Sequence, residues 1–217
     1  MIDFASRRTV MVDTQVRPSD VTKYPIIEAM LAVPREAYVP EALQSVAYAG
    51  EHVRLAPGRV VMDPRVLAKM LDALDIQPHE TVLDLGCGLG YSTAVIARLA
   101  EAVVAVEEDA DFAARAQQTL ASEGVDNAAV LAGPMVEGAA KAGPYDVIVF
   151  QGGVERVPAA LEAQLKDGGR IGAIFMTGKL GTVKIGHKID GAVTWRAAFN
   201  ATAPVLPGFA IEPAFSL

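Results

Sequence analysis

Beyond residue 80, short apolar runs alternate with stretches of helical periodicity, and this alternation limits the possible folds more than any other feature of the chain. The predicted strands cover residues 81–85, 102–107, 128–132, 146–150 and 170–175. The predicted helices between them cover about residues 91–99, 109–123, 135–142 and 155–165. Strands of this length that alternate with helices indicate βαβ units, so we predict a parallel sheet covered by helices on both faces.

The C-terminal part departs from this alternation. Residues 182–189 and 192–200 are predicted strands on either side of Asp190-Gly191, a dipeptide typical of two-residue β-hairpin turns. The sheet is therefore expected to be mixed but mostly parallel, with an antiparallel hairpin near the C-terminus. With helices on both faces, such a sheet makes a three-layer α/β sandwich.

The first eighty residues are predicted to add helices and a loop to this core. Ser19-Asp20 offers cap oxygens to one helix, and Asp63-Pro64 predicts the start of another. The apolar stripe expected to bury the first of these helices consists of Ile26, Ile27, Met30 and Leu31. Residues 51–62 lack a helical period and contain Pro57-Gly58, so we predict a loop with short extended pieces there.

Length and composition indicate one globular domain. The 217 residues are expected to divide into an N-terminal extension (1–79), a core (80–176) and a C-terminal hairpin and tail (177–217). The longest apolar runs have only five or six residues, against the roughly 20 that a bilayer-spanning helix needs. No apolar stretch follows Arg7-Arg8, so we expect no signal peptide, no membrane contact and a cytoplasmic location.

Charge is distributed unevenly along the chain. The net charge is −7, and residues 81–149 hold three basic and ten acidic side chains. Non-specific nucleic-acid binding requires a basic face that replaces phosphate counterions, and the sequence contains no basic run. We therefore expect no nucleic-acid partner. The acidic middle is more compatible with a cationic small molecule, although ordinary solvated helix faces account for most of its charge.

The segment Asp84-Leu-Gly-Cys-Gly-Leu-Gly90 lies between a predicted strand and the helix that follows it. Gly86, Gly88 and Gly90 allow the backbone to turn sharply and to approach a ligand where a Cβ atom would clash. At the end of the next strand, Glu107 supplies a carboxylate that can accept hydrogen bonds from both hydroxyls of a ribose. This combination predicts a nucleoside-containing cofactor.

The spacing of the glycines helps to choose among such cofactors. In a dinucleotide fingerprint the third glycine comes one residue later, where this chain has Tyr91, which disfavours a nicotinamide enzyme. Instead, the motif resembles the first motif of the Rossmann-like S-adenosylmethionine-dependent methyltransferases, over about residues 80–176. The resemblance implies S-adenosyl-L-methionine as cofactor and S-adenosyl-L-homocysteine as product.

A narrower resemblance extends over about residues 15–176. It starts with Ala29-Met30, residues 33–40 (V-P-R-E-A-Y-V-P) and Ala47-Tyr48. It continues at Gly58, Pro64, Tyr145-Asp146, Pro158, Leu161, Gln164-Leu165 and Gly168-Gly169-Arg170. These positions resemble protein-L-isoaspartate O-methyltransferases, which methylate the α-carboxylate of isoaspartyl residues in aged proteins. The resemblance implies a seven-stranded mixed sheet with extra N-terminal helices, and isoaspartyl-containing peptides or proteins as partners.

The resemblance also implies which residues form the site. The cofactor-binding residues would be Asp84, Gly86, Cys87, Gly88, Gly90, Tyr91, Glu107, Glu108, Gly133, Pro134 and Gln151. The substrate-facing residues would be Val61, Met62, Asp63 and Gly152.

Three of these positions depart from the family pattern. Met62 stands where the family usually has the serine of a T-I-S-Q-P stretch at the methyl-transfer site. Gly133-Pro134 replaces a G-D pair that helps to hold the adenine end of the cofactor. Gln151-Gly152-Gly153 stands where a run such as T-A-A-A is common.

The chemistry of carboxyl methylation decides how much these departures matter. A carboxylate with a pKa of about 3.9 is already ionised at neutral pH, so no general base is needed and we assign no catalytic residue. Losing one hydrogen bond to a charged group costs about 1.5–3 kcal/mol, or ten- to a hundred-fold in rate. Three readings stay open: isoaspartyl methylation, methylation of another acceptor, and a catalytically degenerate protein that still binds the cofactor.

The remaining candidate residues receive simpler interpretations. The three histidines (His52, His79 and His187) are scattered without neighbouring ligands at metal-binding spacing, so we expect no metal site. Cys87 is expected to be a small residue beside the cofactor. Arg17 and Arg35 are expected to be exposed, and Trp195 is expected to be a packing residue.

Overall fold

A computed structural model describes residues 3–211. Residues 1–2 and 212–217, the two ends of the expected domain, lie outside the described residues. The strands are β1 (Val53–Ala56), β2 (Arg59–Val61), β3 (Thr81–Leu85), β4 (Ala102–Glu107), β5 (Ala128–Ala132), β6 (Tyr145–Val154), β7 (Leu165–Thr177), β8 (Leu180–Ile189) and β9 (Ala192–Asn200). The last seven form one sheet in the order β5-β4-β3-β6-β7-β8-β9, and β1 and β2 form a separate hairpin.

The large sheet confirms the predicted mixed topology. Strands β3 to β7 pair in parallel, whereas β8 is antiparallel to both β7 and β9. Asp190 and Gly191 form the predicted turn with φ values of +51° and +79°, which suit the twist of a two-residue hairpin. Strands β6 and β7 extend several residues beyond the predicted bounds, and their pairing is irregular between Val149 and Gly153.

In the described part of the chain, six α-helices accompany these strands: α1 (Phe4–Met11), α2 (Tyr24–Ala32), α3 (Pro64–Leu74), α4 (Tyr91–Ala97), α5 (Ala110–Ser122) and α6 (Ala159–Ala163). The predicted start of α3 is confirmed, because the Asp63 carboxylate accepts the Arg65 backbone N–H at 2.8 Å and Pro64 occupies the first turn. Helix α5 begins in the same way at Asp109, whose carboxylate accepts two backbone N–H groups.

The prediction for α2 was partly wrong. The helix begins at Tyr24 rather than after Ser19-Asp20, because Asp20 adopts a left-handed conformation with φ +66°. Ile26, Ile27 and Met30 are buried as predicted, whereas Leu31 is 36% exposed.

Two predicted helices are much shorter in the structure. Residues 135–142 form two 3₁₀ turns, Met135–Glu137 and Ala140–Ala142, since Gly138 between them has φ +62° and interrupts the helical backbone. Within residues 155–165 the helix is confined to Ala159–Ala163. Pro158 explains the late start, because the residue before a proline is disfavoured in helical conformation.

Alternate residues of the central strands face two apolar clusters on opposite sides of the sheet. Val147 and Val149 belong to the cluster that includes α1 to α4. Ile148 and Phe150 belong to the cluster under the 3₁₀ turns, α6 and the segment 205–209. Within residues 3–211, none of the helices has the length and apolar character needed to cross a membrane.

Two peripheral segments lie over the carboxyl ends of the central strands. The β1–β2 hairpin pairs Val53 with Val61 and contains a bulge between Arg54 and Ala56, in agreement with the extended pieces predicted for residues 51–62. The segment 203–209 runs along the end of β6, where the Gly153 N–H donates to the Pro204 carbonyl at 2.8 Å. Both segments therefore help to form the crevice in which ligands of open α/β sheets bind.

Candidate functional site

The glycine-rich loop connects β3 to α4 at the point where the strand order reverses. Gly86, Gly88 and Gly90 have φ values of +82°, +58° and +96°, a region that side-chain-bearing residues rarely adopt. Strands β4 and β6 lie on opposite sides of β3. The loop that follows β3 therefore lies at the topological switch point of the sheet.

The Asp84 carboxylate is fully buried beneath this loop. One oxygen accepts hydrogen bonds from the Ser92 and Thr93 hydroxyls, and the other accepts one from the Gln151 side-chain amide, all at 2.7 Å. Burial raises the pKa of Asp84 to about 6, although the three hydrogen bonds act in the opposite direction. The carboxylate thus links β3, α4 and β6 through the chain's own donors.

The Glu107 carboxylate lies at the end of β4 with none of its surface exposed. Gly88 of the glycine loop donates its backbone N–H to Oε2 at 2.7 Å, and the Asp109 N–H donates to Oε1 at 3.1 Å. Both oxygens also accept hydrogen bonds from the Arg59 guanidinium, with Nη1 at 2.8 Å from Oε1. The position predicted to bind ribose hydroxyls is therefore held in an internal ion pair.

Apolar side chains from distant segments pack onto the glycine loop and onto Gly152 near the end of β6. A Cβ atom at Gly88 would lie 2.7 Å from Leu55 Cδ1, and one at Gly86 would lie 3.1 Å from Met135 Sδ. A Cβ atom at Gly152 would lie 2.6 Å from the Leu206 side chain. These glycines make room for side chains of the hairpin, of the Met135–Glu137 turn and of the segment 203–209.

A residual cavity of about 10 Å³ joins the predicted substrate and cofactor residues. Its lining includes Val61 and Met62 from the substrate side, Cys87 and Tyr91 from the cofactor side, and Gln151. The volume holds about one water molecule, whereas ligand pockets usually measure several hundred Å³. The crevice is therefore closed in this conformation.

Arg35 contradicts the expectation that it would be exposed, since its side chain is fully buried. Nε donates to the Ala47 carbonyl at 2.6 Å and Nη2 donates to the Met62 carbonyl at 2.7 Å. The guanidinium also lies 4.6 Å from the centroid of the Tyr91 ring, a cation–π distance. Arg35 thus holds the backbone at Met62, next to the cavity.

The other predicted residues occupy varied positions. The Cys87 side chain is buried, and burial raises the pKa of its thiol, which keeps it protonated and unreactive. Glu108 and Pro134 are exposed, and the Gly133 N–H donates to the Glu107 carbonyl at 3.0 Å. Asp63 is buried as the cap of α3 and its N–H donates to His52 Nδ1.

Sequence reasoning missed Arg59, Arg35 and Leu206. Arg59 had one local signal, since it directly follows the Pro57-Gly58 turn of a short extended segment, but nothing local indicates its partner. Among residues 3–211, no group of three or more histidine, cysteine or acidic side chains is placed to hold a metal ion. Trp195 packs edge to face against Phe175 at 4.8 Å, as expected of a packing residue.

The polar groups of the crevice are chemically suited to a ribose-bearing cofactor. Glu107 offers two carboxylate oxygens at the carboxyl end of β4, beside a loop whose glycines allow close approach of a ligand. The side chains of Arg59 and Leu55 lie in the space between them. Binding of such a cofactor at Glu107 therefore requires the Arg59 and Leu55 side chains to leave this space.

Comparison with known proteins identifies the family. The family model described as Protein-L-isoaspartate(D-aspartate) O-methyltransferase matches residues 7–193. The protein-L-isoaspartate O-methyltransferase of Syntrophus aciditrophicus (strain SB) is 38% identical over 168 residues, 77% of this chain and 77% of that protein. The protein of the same name from Methylorubrum extorquens (strain PA1) is 37% identical over 169 residues, covering 78% of this chain and 74% of the relative.

Solved structures agree on the fold. A protein-L-isoaspartate O-methyltransferase structure superposes with a TM-score of 0.82 at 23% identity, covering 93% of this chain and 66% of the other, so this chain spans about two thirds of it. A Plasmodium falciparum protein solved in complex with S-adenosyl-L-homocysteine superposes with a TM-score of 0.79 at 17% identity, covering 95% and 99%. By its family match, its relatives and its Rossmann-like fold, the chain is a member of the protein-L-isoaspartate(D-aspartate) O-methyltransferase family.

Proposed function

We propose that the chain transfers a methyl group from S-adenosyl-L-methionine to the α-carboxylate of isoaspartyl residues in proteins. The observation that carries this proposal is the cavity where Val61 and Met62 meet Cys87, Tyr91 and Gln151. It joins the predicted acceptor side to the predicted cofactor side, so donor and acceptor would meet there. The family name of its relatives supports the isoaspartyl acceptor.

Specific residues would hold the cofactor in this proposal. Glu107 would accept the ribose hydroxyls, and the backbone of Gly86 and Gly88 would border the adenosyl group. When bound, the cofactor supplies a methyl group on a positively charged sulfur. The buried carboxylates of Asp84 and Glu107 at the crevice favour such a cationic ligand.

The chain's own residues contribute positioning and the exclusion of water. An isoaspartyl carboxylate is ionised at neutral pH and requires no base, so correct placement of the reacting groups provides most of the rate. Arg35 fixes the Met62 backbone through its hydrogen bond to the carbonyl. The buried side chains of Met62 and Tyr91 separate the cavity from bulk solvent.

The direct test measures transfer of labelled methyl from S-adenosyl-L-methionine to an isoaspartyl peptide, with the matching aspartyl peptide as control. We expect label on the isoaspartyl peptide alone. If folded protein labels neither peptide, the proposed acceptor is wrong.

Replacing Met62 with serine should raise isoaspartyl methylation about ten- to a hundred-fold, because a hydroxyl would add one hydrogen bond to a charged carboxylate. Met62→Ala is the matched control, since it removes the same side chain without adding a hydroxyl. Initial rates of methyl transfer for both variants separate the effect of the hydroxyl from that of space. Equal rates in the two variants would show that a donor at position 62 does not assist the reaction.

Replacing Glu107 with glutamine should weaken binding of S-adenosyl-L-homocysteine at least tenfold. The amide keeps one acceptor oxygen, but its NH₂ group cannot accept a hydrogen bond from a hydroxyl. Isothermal titration calorimetry gives the affinity, and Glu108→Gln, an exposed neighbour, serves as control. Unchanged affinity in Glu107→Gln would remove the ribose assignment.

A second candidate function is cofactor binding without methyl transfer. It is favoured by Met62, which is 2% exposed and carries no hydrogen-bond donor, and by Gln151, whose amide is bound to Asp84. Binding of S-adenosyl-L-homocysteine without labelling of either peptide would select this candidate or a methyltransferase with another acceptor.

We propose a cytoplasmic location and isoaspartyl-containing proteins as partners. The single cysteine of the chain, Cys87, fits a reducing compartment, in which disulfides are rare. Methylation of aged proteins in a cytoplasmic extract would test the partners, and detection of the chain in fractionated cells would test the location.

A further inference from the structure

We propose that the β1–β2 hairpin is a lid and that Arg59 is a built-in competitor for the ribose site, so that a nucleoside enters only when Arg59 releases Glu107. This inference rests on the proposed function, because it concerns access to the same cofactor site.

The Glu107 carboxylate has no free capacity while Arg59 is bound. A carboxylate oxygen accepts about two hydrogen bonds. Oε1 accepts from Arg59 Nη1 and the Asp109 N–H, and Oε2 accepts from Arg59 Nη2 and the Gly88 N–H. A ribose diol needs two of these four positions, and only those held by Arg59 come from a side chain that can leave.

The Arg59 guanidinium and a ribose diol would form the same pair of hydrogen bonds to the Glu107 carboxylate. Two parallel N–H groups of Arg59 span the two oxygens as a fork, and two adjacent hydroxyls of a ribose would span them in the same way. Arg59 Nη2 also donates to the Gly86 carbonyl at 3.0 Å. The side chain therefore occupies the ribose position and borders the glycine loop at once.

The closed pair is not an unusually favourable arrangement. Arg59 Nε is buried without a hydrogen-bond partner in the described part of the chain, and Nη1 has the weak acceptor Met135 Sδ at 3.8 Å as a further contact. Burying an ion pair costs desolvation that its attraction only approximately repays. A ligand that supplies its own two donors can thus displace Arg59.

The hairpin that carries Arg59 is suited to movement. Its strands have four and three residues, and an isolated two-stranded hairpin is marginally stable. It forms its own sheet, separate from the seven-stranded one. Its turn at Pro57-Gly58 is exposed, whereas Val53 and Val61 at its base are buried in the core, so we place the movement at the turn end that carries Leu55 and Arg59.

The first test compares affinities for S-adenosyl-L-homocysteine by isothermal titration calorimetry in the full chain, Arg59→Ala, Arg59→Lys and Arg54→Ala. We expect Arg59→Ala to bind at least tenfold more tightly than the unmodified chain, because the competing donors are gone. Arg59→Lys should lie between them, since one ammonium group cannot span both oxygens as a fork. Arg54→Ala, an exposed position on the same hairpin, should bind as the unmodified chain does. Equal or weaker binding by folded Arg59→Ala, or no binding by any of the four proteins, would overturn the proposal.

A second test needs no variant. Hydrogen–deuterium exchange of the unmodified chain is measured with and without S-adenosyl-L-homocysteine. We expect residues 53–61 to exchange faster with the ligand, while residues 86–91 of the glycine loop exchange more slowly. Slower exchange of the hairpin on ligand binding would contradict the proposal that the hairpin is a lid. If methyl transfer is absent but the hairpin exchanges faster with the ligand, the proposed function is wrong and the lid proposal is supported.

Discussion

Replacing Arg35 with alanine should lower the free energy of unfolding by about 3–5 kcal/mol. The variant loses two hydrogen bonds from a charged donor, to the carbonyls of Ala47 and Met62, each worth about 1.5–3 kcal/mol. It also loses the contact with the Tyr91 ring and leaves a cavity. Burial lowers the pKa of Arg35, and the cost of burying this charge keeps the net loss below the sum of its contacts.

Urea unfolding monitored by circular dichroism measures this loss. Arg17→Ala is the control, because the Arg17 side chain is 50% exposed and pairs with Asp13 on the surface. Such a surface pair contributes at most about 1 kcal/mol. If Arg35→Ala cost no more than Arg17→Ala, the buried guanidinium would not support the Met62 loop.

As the pH rises from about 4 to 7, the free energy of unfolding of Asp84→Asn should rise by about 3 kcal/mol relative to that of the unmodified chain. The pKa of Asp84 is about 6 in the folded protein, against an ordinary value of 3.8. Between these values the folded state binds a proton that the unfolded state has lost, so the free energy of unfolding falls with rising pH. Asparagine is neutral throughout and removes this loss.

The measurement is the free energy of unfolding of both proteins at several pH values, and only the pH-dependent part of their difference is used. Glu80→Gln is a control for which we expect a pH dependence of the opposite sign. Burial raises the pKa of Glu80, but hydrogen bonds from Arg170 and the Gln77 N–H outweigh it and leave the pKa lowered. That carboxylate stabilises the fold above its unfolded pKa, so Glu80→Gln should lose stability relative to the unmodified chain as pH rises. A flat difference for Asp84→Asn would show that its charge is not destabilising.

The parts of the fold that were predictable depend on local information. Strands β3, β4, β5 and β9 have the predicted bounds, because apolar runs between turn residues need no distant partner to be recognised. The predictions failed where one residue's backbone overrides a helical pattern, as at Gly138 and at Asp20. A pattern of apolar residues does not reveal such a conformation.

The candidate site was predictable as a location but not in its internal contacts. The glycine loop and Glu107 occupy the expected ends of β3 and β4. The partner of Glu107 lies 48 residues away at Arg59, and the carbonyl that binds Arg35 lies 27 residues away at Met62. Which side chains meet across such separations depends on how the hairpin packs on the sheet.

The sequence by itself determined the alternating strands and helices, the glycine turn and the family, because each is encoded in a contiguous or regularly spaced set of residues. Only the tertiary structure decided that Arg59 lies on Glu107, that Arg35 is buried beneath Met62 and that Leu206 packs on Gly152. These contacts join segments far apart in the chain, and a charged or apolar side chain has no preferred distant partner until packing brings the segments together.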